Sequence, residues 1–122
     1  MVRAFRISRT AAIYAAEEGV EPKLSTFAEL GVSAPICEAL AARGITEAFP
    51  IQKMVMKDAL AGRDVLAKSR TGSGKTLAFA IPALERLDPR ARKPVGLILG
   101  PTRELAVQVT DEIKGLARKK GL

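Results

Sequence analysis

Histidine does not occur in this chain, and cysteine occurs once, at Cys37. The first absence removes the commonest general base and the commonest metal ligand. The second excludes an internal disulfide and any cysteine-cluster metal site. A metal bound here is therefore expected to be a hard cation held by oxygen. Aromatic residues make up only 4% of the chain, too few for a platform that stacks successive nucleic acid bases. No apolar run approaches the length needed to cross a bilayer. The start, Met1 to Thr10, carries Arg3, Arg6 and Arg9 without the long apolar core of a secretory signal. An Arg-bearing, Ala-rich start also fits an organelle transit peptide, but Glu17, Glu18 and Glu21 argue against it. The expected location is the cytoplasm.

Positive charge is in excess. Lys and Arg number 20 against 13 acidic residues, for a net charge of +7 on 122 residues. Such an excess suits a polyanionic partner, nucleic acid above all. Charge alone does not separate that reading from a solvated basic surface. The basic residues are spread out, with local clusters at Arg86–Lys93 and Arg118–Lys120. With 48% hydrophobic residues, the chain can form one small domain around one core.

The most informative stretch is Ser69-Arg70-Thr71-Gly72-Ser73-Gly74-Lys75-Thr76. It follows the short run Asp64-Val65-Leu66-Ala67 and leads into a helix-compatible run from Leu77 to Leu87. Strand, glycine-containing loop and helix in that order are the setting of a phosphate-binding P-loop. Gly72 and Gly74 let successive N–H groups converge on phosphate oxygens. Lys75 supplies a point charge for the outer phosphates, and the Thr76 hydroxyl suits a Mg²⁺ ligand. The N-terminus of the following helix adds partial positive charge. Ser69 stands where such loops begin with Gly or Ala, and it is small enough to fit. The competing reading is an ordinary Gly/Ser turn that happens to carry Lys-Thr, and the flanking strand and helix signals outweigh it.

Elsewhere the pattern predicts mostly helices. Thr10 to Glu18 is compatible with a short helix rich in Ala, broken by Gly19 and Pro22. Residues 1–24 are expected to form a mobile arm. Ser33 is a plausible N-cap with Pro35 in the first turn, for a helix with Ile36, Ala39 and Leu40 on one face and its end at Gly44. A second helix is predicted from Pro50, with Ile51, Val55 and Ala59 on one stripe and Gly62 after its end. Pro82 should bend or shorten the helix after the loop. Val95-Gly96-Leu97-Ile98-Leu99 reads as a buried parallel strand. Gly100-Pro101-Thr102 breaks it, Thr102 is placed to cap a helix, and Leu105, Val109, Ile113 and Leu116 form that helix's apolar stripe. The order of elements indicates an α/β fold with a parallel sheet.

Two further stretches carry a family resemblance. Gly44-Ile45-Thr46-Glu47-Ala48-Phe49-Pro50-Ile51-Gln52, with the isolated Phe27 upstream, resembles the Q motif of DEAD-box RNA helicases. The family usually has a further Pro where Ala48 stands. A Gln amide offers one donor and one acceptor, which matches the adenine N6/N7 edge, and an aromatic ring can stack on the base. Taken without the P-loop, Gln52 reads as an exposed helix residue and Phe27 as a core anchor. Pro101-Thr102-Arg103-Glu104-Leu105-Ala106 resembles motif Ia of the same family letter for letter. A helix N-terminus bearing Thr102 and Arg103 offers donors to phosphate. Gly62-Arg63-Asp64-Val65-Leu66 and Leu77-Ala78-Phe79 are similar to family segments too, so the resemblance covers about residues 25–113.

The resemblance implies a partial RecA-like P-loop domain of α/β class over residues 25–122, with parallel strands and flanking helices. It implies ATP and Mg²⁺ as cofactors, with Phe27, Gln52 and Ser69 to Thr76 around the nucleotide. Lys75 and Thr76 take the catalytic positions, and Thr76 also the metal position. It implies RNA as partner, its backbone contacted by Pro101, Thr102 and Arg103, and no membrane association. The family's Asp-Glu-Ala-Asp and Ser-Ala-Thr motifs and its second RecA-like domain do not occur in these residues, so the chain is expected to be about the N-terminal third of a helicase and inactive alone. Asp111-Glu112 is the nearest acidic pair, but it falls within the predicted last helix and should be solvated. In the family the P-loop strand and the motif Ia strand are not neighbours, so incomplete sheet edges are expected to favour self-association. Two alternatives remain: a non-enzymatic nucleotide- or RNA-binding remnant of the same lineage, and an unrelated P-loop enzyme. The motif Ia match argues against the second.

Overall fold

A computed structural model of the protein describes residues 12–15 (backbone), 25–68 and 74–122. The elements are β1 (Ala12–Ala15), α1 (Ala34–Ala42), α2 (Pro50–Leu60), β2 (Val65–Lys68), α3 (Lys75–Arg86) and α4 (Arg103–Lys119). β1 and β2 form a two-stranded parallel sheet in the register Ala12–Val65 to Ala15–Lys68. α2 packs against both strands and against α3, and α4 packs against α1 and α3.

Local chemistry accounts for most boundaries. Pro35 stands in the first turn of α1 and Pro50 opens α2, both preset for helical φ and both where a missing N–H costs nothing. α2 stops at Gly62, whose φ of +81° turns the chain into β2. α3 runs uninterrupted through Pro82 to Arg86, so the proline does not shorten it. Pro82 is buried between neighbours that hold the helix on both sides. Thr102 caps α4, its Oγ1 accepting the Leu105 N–H at 3.2 Å.

The core lies between α1, α2, α3 and the C-terminal half of α4. Ile36, Leu40, Met56, Ile81 and Leu116 are completely buried there. Only the end of the α4 stripe reaches it: Leu116 is buried, Val109 and Ile113 are half-buried, and Leu105 is exposed. A partly buried ion pair joins α3 to the end of α4 beside this core. Glu85 Oε1 accepts from Ser33 N at 3.0 Å and Ser33 Oγ at 2.6 Å, while Glu85 Oε2 accepts from Lys120 Nζ at 2.9 Å. Burial by itself would raise the Glu85 carboxyl. The bonds from Ser33 and Lys120 outweigh it and hold the group below its usual value. The Ser33 hydroxyl thus serves Glu85 and makes no cap bond to α1.

Three expectations are corrected. Ala12–Ala15 is a strand, not the middle of an alanine-rich helix; the backbone partner offered by β2 overrides local helix propensity. The rest of residues 1–24 lies outside the described residues. Val95–Leu99 is not a buried strand: it has no ladder partner among the described residues, and Leu97 and Leu99 are 71% and 85% exposed. Among the described residues it lacks the neighbouring edge that defines a strand. The strand before the loop, in turn, is partnered after all, through β1. Among the described residues, no helix is long and apolar enough to cross a membrane.

Candidate functional site

A cleft of about 1040 Å³ opens between two walls. One wall is α2 with the start of α3, including Phe49, Gln52, Gly74, Lys75 and Thr76. The other is the segment Ile98–Pro101 with the face of α4 that carries Leu105 and Val109.

Gln52 organises the first wall. It is only 2% exposed. Its Oε1 accepts the Phe49 N–H at 2.9 Å, satisfying a donor at the start of α2, and its Nε2 donates to the Gly74 carbonyl at 3.0 Å. Both ends of the amide are thus bonded within the protein, and the side chain lines the cleft. The same side chain therefore fixes the chain just ahead of α3 and faces the cleft.

Gly74 is the N-cap of α3 with φ +82°. A side chain there would be strained, and a Cβ would collide with Gln52 Nε2 and the Phe49 ring. Lys75 and Thr76 follow in the first turn, Lys75 exposed and Thr76 half-buried, beside the N–H groups that a helix leaves without internal partners. No metal-binding group of three acidic, His or Cys side chains exists among the described residues. The residues fit a nucleotide-borne cation better than an independent one: among the described residues at the start of α3 the Thr76 hydroxyl is the oxygen donor at hand, and phosphate oxygens would complete the shell.

The positions expected from sequence divide as follows. Gln52, Gly74, Lys75, Thr76 and Pro101 share the cleft. Ser69, Arg70, Thr71, Gly72 and Ser73 lie outside the described residues. Thr102 and Arg103 stand exposed at the start of α4, next to the cleft but not lining it. Phe27 does not face the cleft: it is 2% exposed and packed in the main core, which corrects the expectation that its ring is open to a base. The aromatic that does face it is Phe49, 53% exposed and adjacent to Gly74. Its signal was its place immediately before Pro50-Ile51-Gln52. Asp111 is solvent-exposed on α4 and paired with Lys114 at 3.3 Å, away from any strand end.

The sequence Ser69–Thr76 running from the end of β2 into α3, on an α/β scaffold, is that of the P-loop nucleotide-binding class of protein. The model of the DEAD/DEAH box helicase family matches residues 49–122, and the chain belongs to that family. It is 50% identical over 93 residues to DEAD-box ATP-dependent RNA helicase 53 of Oryza sativa, a match covering 71% of this chain and 15% of that protein. It is 49% identical over 94 residues to the ATP-dependent RNA helicase DeaD of Escherichia coli, covering 77% and 15%. Among solved structures it is similar to a DEAD box protein from Methanococcus jannaschii, with TM-score 0.68, 39% identity and coverage of 78% and 26%. It is also similar to the RNA-helicase Prp28 from Chaetomium thermophilum bound to ADP, with TM-score 0.73, 32% identity and coverage of 88% and 27%. The chain thus spans about 15% of the length of the curated relatives it matches.

Proposed function

We propose that this chain is the ATP-binding and RNA-backbone-contacting part of a DEAD-box ATP-dependent RNA helicase, with Mg²⁺ carried in by the nucleotide. The observation that carries the reading is the Gln52 side chain bonded to both Phe49 and Gly74. It joins an adenine-compatible amide to the chain that opens α3, where Lys75 and Thr76 stand. Bound ATP would place its base toward Gln52, with Phe49 in place of Phe27 as the ring available to cover it. Its phosphates would lie at the start of α3, with Lys75 on the outer ones and the Thr76 hydroxyl toward the cation. The relatives' names and the ADP of the Prp28 structure support the nucleotide class. Thr102 and Arg103, at an exposed helix N-terminus beside the same cleft, would take the RNA sugar-phosphate backbone. Cytoplasm remains the proposed location.

The test is a direct titration with ATP, GTP and adenosine. ATP should bind more tightly than GTP, and Gln52→Ala should erase that preference, at a cost of about 1–3 kcal/mol for the lost base contact. Lys75→Ala should weaken ATP far more than adenosine, since in the proposed pose the ammonium serves the phosphates and not the base or ribose. Equal ATP and GTP affinity in the unaltered chain, or an unchanged ATP affinity in Lys75→Ala, would refute the assignment.

A further inference from the structure

α3 and α4 run in the same sense. Both begin at the cleft, and both end at the opposite pole, where Lys120 bonds Glu85 at 2.9 Å and the backbone at Gly121 lies against Pro89. The cleft lining reaches Phe79 on α3 and Ile113 on α4, and at about 1.5 Å per residue the remaining turns to Arg86 and Lys119 carry the two helix ends roughly 10 Å beyond it. This convergence sets the start of the loop after α3, at Pro89, against the end of α4; the loop goes on to carry Arg90, Arg92 and Lys93, and α4 ends with Arg118 and Lys119. All five residues are exposed. Asp88 is engaged by Arg90 at 3.2 Å, which fixes the loop's first turn. Lys120 is occupied by Glu85. Arg92, Lys93, Arg118 and Lys119 have no acidic partner among the described residues.

Compensation of helix dipoles explains part of this arrangement. Arg118 and Lys119 occupy the last turn of α4, where cations are favoured. That account does not reach Arg92 and Lys93, which belong to no helix and stand in a loop whose start is held beside the α4 end. Like charges are thus gathered at one pole at a repulsive cost, without internal neutralisation. A polyanion would remove that cost.

We propose that the pole formed by Arg92, Lys93, Arg118 and Lys119 is a second RNA-backbone contact, separate from the cleft and from Thr102–Arg103. The choice of RNA as the polyanion rests on the proposed function above. With no aromatic side chain in either segment, the contact is to phosphate and independent of base sequence. It would hold a flank of the RNA while the cleft end engages another part of it.

The experiment is an anisotropy titration of a labelled single-stranded RNA of mixed sequence with the whole chain over a series of salt concentrations. Two double variants divide the pole, Arg92→Ala with Lys93→Ala and Arg118→Ala with Lys119→Ala, and Arg103→Ala probes the cleft end. Each double variant should melt as the unaltered chain does and bind RNA roughly tenfold more weakly at moderate salt, the combined four-fold variant losing about 3 from the slope of log affinity against log salt. Retained affinity and slope in both double variants, with a loss in Arg103→Ala, would overturn the second contact and leave the proposed function standing. Loss in the double variants with none in Arg103→Ala would support the pole and sink the proposed role of Arg103. Polyglutamate competing as well as unlabelled RNA at equal charge would overturn the RNA assignment in favour of an acidic protein partner. The loop variant keeps the test informative should the helix variant unfold.

Discussion

Lys120 Nζ lies 2.9 Å from Glu85 Oε2, joining the residue after α4 to the last turn of α3. The Glu85 side chain is 12% exposed and that of Lys120 is 21% exposed, so this pair is shielded, unlike the solvent-exposed pair Arg90–Asp88. Removing the Glu85 carboxylate takes the partner from Lys120 and the charged acceptor from the Ser33 N–H and hydroxyl.

Glu85→Gln should therefore destabilise the fold by about 1–3 kcal/mol near neutral pH. Because the folded state holds this carboxyl below its usual value, the stabilisation is fully present above the unfolded pKa near 4.5 and is lost as pH falls through the lower folded pKa. Thermal melts across pH should show the two proteins converging in acid. A gap that stays constant down to the lowest pH would mean that the charge of Glu85 is not what stabilises.

Gly74→Ala should cost both stability and nucleotide binding. The backbone at φ +82° is unfavourable for a side chain by about 1–2 kcal/mol, and the added methyl must displace Gln52 or Phe49. Denaturant midpoints combined with ATP titration would register the two losses. An alanine variant as stable and as competent as the parent would contradict the packing of Gln52 against this position.

Leu116→Ala removes the only fully buried side chain of α4 and should cost about 2–5 kcal/mol. Leu105→Ala, at 39% exposure on the same stripe, should cost far less. Similar losses at the two positions would show that the whole stripe is covered in solution.

That last outcome bears on the segment Val95–Leu99, whose apolar side chains and α4 neighbours stand open to water. We predict self-association through this face, since contiguous apolar surface of this kind seeks a partner. Sedimentation should reveal concentration-dependent oligomers that Leu97→Asp with Leu99→Asp disperses. A strictly monomeric parent chain would refute it.

Turnover is expected to be absent. These 122 residues contain no Asp-Glu-Ala-Asp run, and the acidic Asp111 on α4 is committed to Lys114. Binding the ground state of ATP does not hasten hydrolysis without groups placed for the transition state. A phosphate-release assay with and without single-stranded RNA should read background. RNA-stimulated release that vanishes in Lys75→Ala would reverse this conclusion.

What could be read from sequence were the features whose causes are local. The starts at Pro35, Pro50 and Thr102 and the stop at Gly62 depend on residues within one turn of each boundary, and the structure has them. β1 was misread because four residues containing two alanines carry no sign of a partner some fifty positions later. Val95–Leu99 failed for the converse reason, an apolar run without the edge it needs. At the candidate site, the structure sets Gln52, Lys75 and Thr76, singled out by motif chemistry, around one cleft. Phe27 is buried and Phe49 exposed, contrary to expectation, because burial depends on packing from the whole fold. The Ser33–Glu85–Lys120 cluster had no sequence signature at all, its members being polar residues on three separate segments.

The same separations set an order of assembly. The hydrogen bonds from Ser33 to Glu85 and from Arg43 to the Glu112 carbonyl close loops of 52 and 69 residues, and the parallel β1–β2 pairing is comparably distant. Loops of this size are entropically expensive until something else holds their ends near each other. The locally specified helices α1, α2 and α4 are placed to form early, whereas β1 can dock only after α2 has presented β2. On this account the chain's N-terminal strand is the last piece to arrive and the first to leave, and amide exchange should find Ala12–Ala15 opening well below the free energy that unfolds α2 and α3.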